Sequence, residues 1–446
     1  MRLLGLKTFR HGVHPPESKD ETSGLAIRRF PFAPVLIVPL VQHMGAPSIP
    51  EVEEGQEVSR GQRIARADGF MSVSMHAPAS GLVRRIALAP SITGRMVPAV
   101  YLEPFPGSTQ EVEEGTPCPV ETATPDEIIA AIQDAGIVGL GGAAFPTHVK
   151  LKVPEGKYVD TLIINGVECE PFLTTDHRVM LEQSEDIFMG IRYLLKVSGA
   201  EKVIIGVEAN KRDAAEHLRE KFPSDLNGSV EVLQVKYPQG AEKMLFAALL
   251  GREVPSGGLP LDIHALCCNV ATTAEIGRLL PRGQGIQERV ITVTGPAVKK
   301  KGNYRIPIGT PLRFLLEQVG VEDDVNRVFL GGPMMGAAAS SLDISITKGT
   351  SGVTAFTDSA AERTHSRVYP CIRCGYCVDA CPIFLNPSLL GRLAANEEHA
   401  LMAEEHNLMD CFECGSCSFV CPSHIPLVQQ FRAAKAAVRK AKAGAA

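Results

Sequence analysis

Between residues 35 and 105 the chain alternates short β-type runs with Gly and Pro breaks, at 35–41, 63–65, 73–75, 82–86 and 99–102. That rhythm predicts a small all-β unit. The character changes at Thr124-Pro125-Asp126-Glu127, where a capping hydroxyl, a first-turn proline and two acids precede Ile128, Ile129 and Ile132. These signals predict a helix that stops at Gly136. Residues 158–164 then read as a buried strand, 202–207 and 211–221 as a strand and an amphipathic helix, and 230–235 with 242–250 as the same pair again. Alternation of this kind predicts an α/β region.

Length and charge narrow the class. A chain of 446 residues with 45% apolar content has material for about three domains. A formal charge of −5 gives no whole-chain argument for nucleic acid. Its longest apolar stretch, 35–41, is interrupted by Pro39 and falls far short of the ~20 residues of a spanning helix. The opening 1–7 lacks the apolar run of a secretory signal, so a cytoplasmic protein without a spanning segment is expected. Residues 1–34, with His11 and His14 but no further ligand-type neighbour, read as an extended arm packed on a neighbour. Beyond Ile425 the chain turns basic through Arg432, Lys435, Arg439, Lys440 and Lys442, which reads as a solvated helix end.

Of 12 cysteines, eight fall in a duplicated run: Cys371-x2-Cys374-x2-Cys377-x3-Cys381-Pro382 and Cys411-x2-Cys414-x2-Cys417-x3-Cys421-Pro422. Paired zinc sites and a disulfide framework both leave the third spacing and the duplication unexplained. Two 4Fe–4S clusters account for them, with the fourth cysteine of each run crossing to the other cluster as in two-cluster ferredoxins. One expected ligand set is therefore Cys371, Cys374, Cys377 and Cys421, and the other is Cys411, Cys414, Cys417 and Cys381. The remaining Cys118, Cys169, Cys267 and Cys268 lack ligand spacing and read as reduced, packed thiols.

A second candidate site begins at Gly139-Leu140-Gly141-Gly142-Ala143-Ala144-Phe145-Pro146-Thr147, with Lys150 just beyond. Its amides suit a phosphate, a tight turn being the plainer alternative. It is not a dinucleotide fingerprint, because it follows a helix and lacks the third glycine. The strand at 158–164 empties into Asn165-Gly166-Val167-Glu168-Cys169-Glu170-Pro171, polar groups at the carboxyl end where α/β sheets bind ligands.

Together these two stretches resemble the FMN and NADH site of the flavin-carrying subunit of respiratory complex I, and Cys268-Asn269-Val270-Ala271-Thr272 resembles a third motif of that family. The resemblance implies FMN contacts from Gly139, Gly141, Gly142, Lys150, Asn165, Glu168 and Asn269. It implies nicotinamide contacts from Phe145, Glu170 and Glu242. Leu140 stands where that family has arginine, and Phe172 where it has glycine. Residues 54–62 and 76–83 resemble the barrel-sandwich fold of biotinyl and lipoyl carriers, but no lysine lies between Gln62 and His76 to carry a cofactor. Residues 290–295, 308–316 and 328–336 resemble the β-grasp module of the same complex I protein.

This order of modules resembles, over nearly the full length, the RnfC family of Rnf electron-transport complexes. A multidomain α/β protein is expected: arm 1–34, barrel-sandwich 35–119, FMN- and NADH-binding α/β domain 120–287, β-grasp 288–360, helical two-cluster ferredoxin-like domain 361–431 and basic tail 432–446. Its implied cofactors are FMN and two 4Fe–4S clusters, with NAD(H) as substrate. The implied function is that of a peripheral, NADH-linked oxidoreductase subunit on the cytoplasmic side of the bacterial inner membrane. There it would serve other Rnf-type subunits, a ferredoxin or iron–sulfur partner among them, while ion translocation belongs to those partners. The alternatives are a soluble flavin and iron–sulfur corrinoid reductase, against which the leading position of the sandwich speaks, and a docking relay that binds no nucleotide.

Overall fold

In the computed structural model, residues 2–3, 5–358 and 367–444 are described. The expected junction at 360/361 lies outside them. Residues 36–104 form two facing sheets. One is ordered Leu36–Pro39, Met96–Pro104, Gly81–Pro90, Glu57–Val58; the other is Ile49–Pro50, Arg63–Arg66, Met75–His76. Alternating side chains of both sheets, among them Leu36, Val38, Ile64, Met75, Val83 and Val100, are fully buried between them. Alternation thus builds the sandwich by placing one face of every strand inside.

The helix Pro125–Asp134 starts on a complete capping box. Thr124 Oγ1 accepts the Glu127 N–H at 3.3 Å, and the Glu127 carboxylate accepts the Thr124 N–H at 2.7 Å. Ile128 and Ile132 are buried one turn apart, which docks the helix and delivers the chain to residue 139 at a fixed place. The central sheet runs Gly228–Leu233, Lys202–Glu208, Thr161–Gly166, Ala265–Asn269, all parallel. Thr161–Gly166 is its middle: the chain proceeds to one side through the next two strands, then returns to add Ala265–Asn269 on the other. Such a reversal opens a crevice at the carboxyl ends of the two strands flanking it.

Glu288–Thr294 centres a third sheet with Gly302–Pro307 and Gly352–Thr357 on its two sides. The helix Leu312–Val319 covers it through Leu312, Leu315, Leu316 and Val319. The amino-terminal arm does more than lie on a neighbour. Its Leu6–Lys7 extends the central sheet, and its Arg28–Arg29 adds an edge strand to the third.

The cysteine-rich end is helical, with Leu390, Met402, Leu408, Leu427, Phe431 and Ala434 as its core. The helix Leu427–Gly444 differs from the expected solvated tail. Its alanines let it approach closely, Lys435 is buried, and the Lys435 ammonium bonds the Glu413 carboxylate at 3.0 Å and the Cys411 carbonyl. The basic residues near its start therefore hold the second cysteine run.

Thr124→Ala removes the hydroxyl half of the capping box. It should lower stability by about 1 kcal/mol, measured as a lower midpoint in urea unfolding, with no change in the cysteine-rich module.

Candidate functional site

The loop 139–145 closes on itself, the Gly139 N–H donating to the Phe145 carbonyl at 2.8 Å beside a bridge from Val138 to Pro146. Residues 141–143 form its exposed apex. Leu140 points the other way, into the core, and its backbone is held at both ends. Its N–H donates to Thr272 Oγ1 at 2.8 Å, and its carbonyl accepts from the Arg289 guanidinium. A core leucine thus anchors the loop where the resemblance has an arginine. Gly141 passes so near Asn269 that a Cβ would sit 3.3 Å from its side-chain nitrogen.

Asn165 and Asn269 are register partners at the ends of adjacent strands, on the crevice of the reversal. Both spend side-chain groups on local order. Asn165 accepts from the Val167 N–H at 3.0 Å and donates to the Gly240 carbonyl at 2.9 Å. Asn269 caps the helix Val270–Leu279 by accepting from Ala271 and Thr272, and donates to Asp176 at 2.8 Å. Glu168 accepts from the Asp176 and His177 N–H groups at 2.9 and 3.4 Å, at the start of the helix Thr175–Glu182. Burial, with Glu168 alongside, pushes the Asp176 carboxyl up to about 7. Asp176 is a site residue that sequence reasoning misses; its position at the start of a helix just after Glu168 and Glu170 is the available signal.

Lys150, on the short helix Thr147–Leu151, pairs with Glu242 at 2.8 Å. Burial opposes its charge, but Glu242 and the neighbouring Cys267 and Cys268 outweigh that and raise its pKa. Two residues expected at opposite ends of a nucleotide site are thereby brought together. Phe145 stands half-buried at the foot of the loop. Glu170 is engaged elsewhere: its carboxylate accepts the Met334 and Met335 N–H groups at 3.2 and 2.6 Å. Burial pushes its carboxyl up to about 7 against the pull of those amides.

The donor set fits a phosphorylated flavin. Exposed glycine-loop amides and one ammonium suit a phosphate, and the crevice between two parallel strand ends suits a planar ring system. Lys150, Gly139, Gly141 and Gly142 would hold the phosphate end, with Asn165, Glu168 and Asn269 behind the ring.

The eight motif cysteines are free thiols that fall into two groups across the repeats. Cys377 has Cys421, Cys374 and Cys371 as electrostatic neighbours, and Cys417 has Cys414, Cys411 and Cys381. The two runs share a backbone path, with Arg373 and Glu413, Gly375 and Gly415, and Phe384 and His424 all at positive φ. Such turns aim N–H groups at sulfur: Cys381 accepts from 383–385, and Cys411 from Glu413. Four thiols per group, with amides directed at them, fit a 4Fe–4S cluster. The two groups differ in setting. Cys371 and Cys374 are exposed, whereas Cys381 and Cys417 are buried.

The second group abuts the α/β module. The Tyr237 hydroxyl donates to the Cys414 carbonyl at 2.7 Å, the Gly12 N–H donates to the Ala380 carbonyl at 3.2 Å, and Val13 bridges Tyr237. Val13, Tyr237 and Ala380 form a small core with Cys169, Met334, Cys414 and Val420 against it. Gly415 is pressed so closely that a Cβ would lie 2.9 Å from the Met334 carbonyl.

Such a crevice and paired thiol groups on one chain define a flavin- and iron–sulfur-carrying electron-transfer protein. Four family models match in order: the RnfC barrel sandwich hybrid domain over 7–105, the Nuo51 FMN-binding domain over 132–278, the SLBB domain over 290–338 and the 4Fe-4S dicluster domain over 370–426. The chain is 42% identical over 408 residues to the RnfC-type component of the proton-translocating ferredoxin:NAD(+) oxidoreductase complex of Clostridium ljungdahlii, covering 91% of this chain and 88% of that protein. It is also 42% identical over 382 residues to the corresponding component of the Na(+)-translocating ferredoxin:NAD(+) oxidoreductase complex of Acetobacterium woodii, covering 85% of this chain and 86% of the relative. The corresponding component of an ion-translocating oxidoreductase complex from Haemophilus influenzae is 39% identical over 442 residues, which cover 97% of this chain and 65% of that protein. The chain belongs to the RnfC family. FMN and iron–sulfur clusters are its cofactors. Among the described residues, no helix is long and apolar enough to cross a membrane.

Two outcomes are expected. Cys421→Ser should alter the paramagnetic signal of the cluster held with Cys371, Cys374 and Cys377, and Cys381→Ser that of the other; loss of the sequence-local cluster in each would reject the exchange. Glu170 carries a pKa near 7 in the fold against 4.5 for the free side chain, so between those values the folded protein binds the extra proton. Its contribution to stability falls as pH rises through that window. Glu170→Gln should flatten this part of the stability profile, read from unfolding midpoints across the window.

Proposed function

We propose that the chain is the peripheral electron-transfer subunit of a membrane-bound ferredoxin:NAD+ oxidoreductase complex, working between NAD(H) and ferredoxin-linked partner proteins on the cytoplasmic face of the inner membrane. FMN and the clusters, when bound, supply the exchange between a hydride pair and single electrons that side chains cannot perform. The reading is carried by one observation: Cys414 of the second thiol group packs with Cys169 and Tyr237, next to the 168–170 loop of the crevice. A nucleotide crevice and a thiol group share a wall, as a protein working between two-electron and one-electron partners requires.

In this reading Lys150 and the amides of Gly139, Gly141 and Gly142 bind the FMN phosphate, while Asn165, Glu168 and Asn269 fix the depth of the crevice. Phe145, Glu170 and Glu242 face the nicotinamide. Because Lys150 is already paired with Glu242, binding a phosphate would draw the ammonium away and free Glu242 for the nucleotide. Ion movement is assigned to the other components of the complex.

The test is anaerobic. A charge-assisted contact contributes about 1.5 to 3 kcal/mol, so Lys150→Ala should weaken FMN roughly ten- to a hundredfold, measured by fluorescence titration. Glu170→Gln should keep its flavin and need more NADH to bleach it. Wild-type protein whose bound flavin neither NADH nor NADPH reduces would reject the assignment in favour of a relay.

A further inference from the structure

The loop that carries Glu168 and Glu170 is built around a cation supplied by the amino-terminal arm. The Lys19 ammonium donates to the carbonyls of Glu168, Glu170 and Leu173 at 2.9, 2.7 and 2.5 Å. Its three N–H donors are thereby spent on three carbonyls of one six-residue loop. Lys19 is 8% exposed, and among the described residues it forms no direct ion pair. Burial, with Lys211 alongside, lowers its pKa. Lys211 bonds the same Glu168 carbonyl at 3.3 Å, but it is paired with buried Glu208 at 2.9 Å. A buried ammonium without its own carboxylate is costly, and only the ring of carbonyls offsets that cost. Conversely, three converging carbonyls without a cation would be left buried and unpaired.

The loop conformation depends on this arrangement. Phe172 sits at φ 71°, in the left-handed region, and its N–H donates to the Glu17 carbonyl of the same arm at 2.8 Å. With the backbone wrapped inward on Lys19, the Glu168 and Glu170 side chains point outward, to the helix Thr175–Glu182 and to Met334 and Met335. We propose that Lys19 is a positioning residue for the nucleotide site, its ammonium acting as a fixed internal cation that shapes the 168–173 loop and so places both carboxylates. The inference rests on the assignment of Glu168 and Glu170 to that site.

Lys19→Ala leaves a hole the size of propylammonium. The variant, with FMN and clusters loaded, should keep its flavin but show a KM for NADH raised about tenfold or more, with a smaller change in kcat. Added n-propylammonium should restore it, and n-propanol should not. Hydrogen exchange at 168–173 should rise in Lys19→Ala and fall again with the amine, and the visible circular dichroism of the flavin should move and return with it. Lys19→Met, which keeps the volume and drops the charge, should behave as Lys19→Ala and covers the case in which alanine does not fold. A lowered unfolding midpoint with unchanged KM, unchanged flavin dichroism and unchanged loop exchange would overturn the proposal. Wild-type protein unresponsive to NADH would defeat the functional assignment instead, while the exchange and dichroism arms would still decide whether Lys19 shapes the loop.

Discussion

Backbone carbonyls gathered at the seams between modules need donors, and buried cations provide them. Arg289, fully buried, bonds the Leu140 carbonyl of the glycine loop and the Lys348 carbonyl, the latter at 2.9 Å. The Lys348 ammonium in turn bonds the Ser74 carbonyl of the sandwich at 2.7 Å and the Gly136 carbonyl of the α/β module at 2.8 Å. Lys19 and Lys435 repeat the device on the 168–173 loop and on Cys411. A carbonyl left unpaired in such a seam costs about 1 to 3 kcal/mol, so each cation fixes one relative placement of two segments. Three modules therefore meet at residues 136–140 with little freedom, and the glycine loop inherits that rigidity.

The arm extends the constraint to the cysteine-rich end. It reaches the sheet of the α/β module through Leu6–Lys7, Ala380 through Gly12, Tyr237 through Val13, the 168–173 loop through Lys19, and the third sheet through Arg28–Arg29. An extended segment can do this because its own backbone donors and acceptors are free to pair with each neighbour in turn. The segment with least secondary structure of its own is thus the one that ties the separate cores together.

What can be read from the residues follows from the range of the interactions. The two cysteine runs are legible because ligand spacing is local, and the Thr124 box because its partners lie three residues apart. Sandwich strands and the alternating α/β pattern are legible because each element records which of its faces is buried. Lys19, Arg289 and Asp176 are not, because each matters through a partner from a distant segment: Lys19 lies 149 to 154 residues from its carbonyls. Lys435 misleads for the same reason, a basic tail looking solvated until its helix is seen against Glu413 and Cys411. The resemblance brings Asn165, Glu168 and Asn269 to one site, but not their local hydrogen bonds, which depend on where the helices Thr175–Glu182 and Val270–Leu279 begin.

Glu170 shows why nucleotide site and thiol groups are not mechanically separate. Its carboxylate grips the Met334 and Met335 amides, and the Met334 carbonyl bears on Gly415, between Cys414 and Cys417. Any displacement of Glu170 must either break two hydrogen bonds to a half-buried carboxylate or carry the 331–336 turn with it. The turn has little room to move independently: the Gly331 N–H is bonded to the Gly352 carbonyl at 2.7 Å and the Gly336 N–H to the Gly332 carbonyl at 2.9 Å. Lys19 fixes the loop from behind while Met334 and Met335 fix the carboxylate in front, so the crevice and the second thiol group keep one spacing. Electron transfer between centres is far more sensitive to separation than to the identity of the atoms between them, and this chain places its buried cations and its glycines where they hold that separation constant.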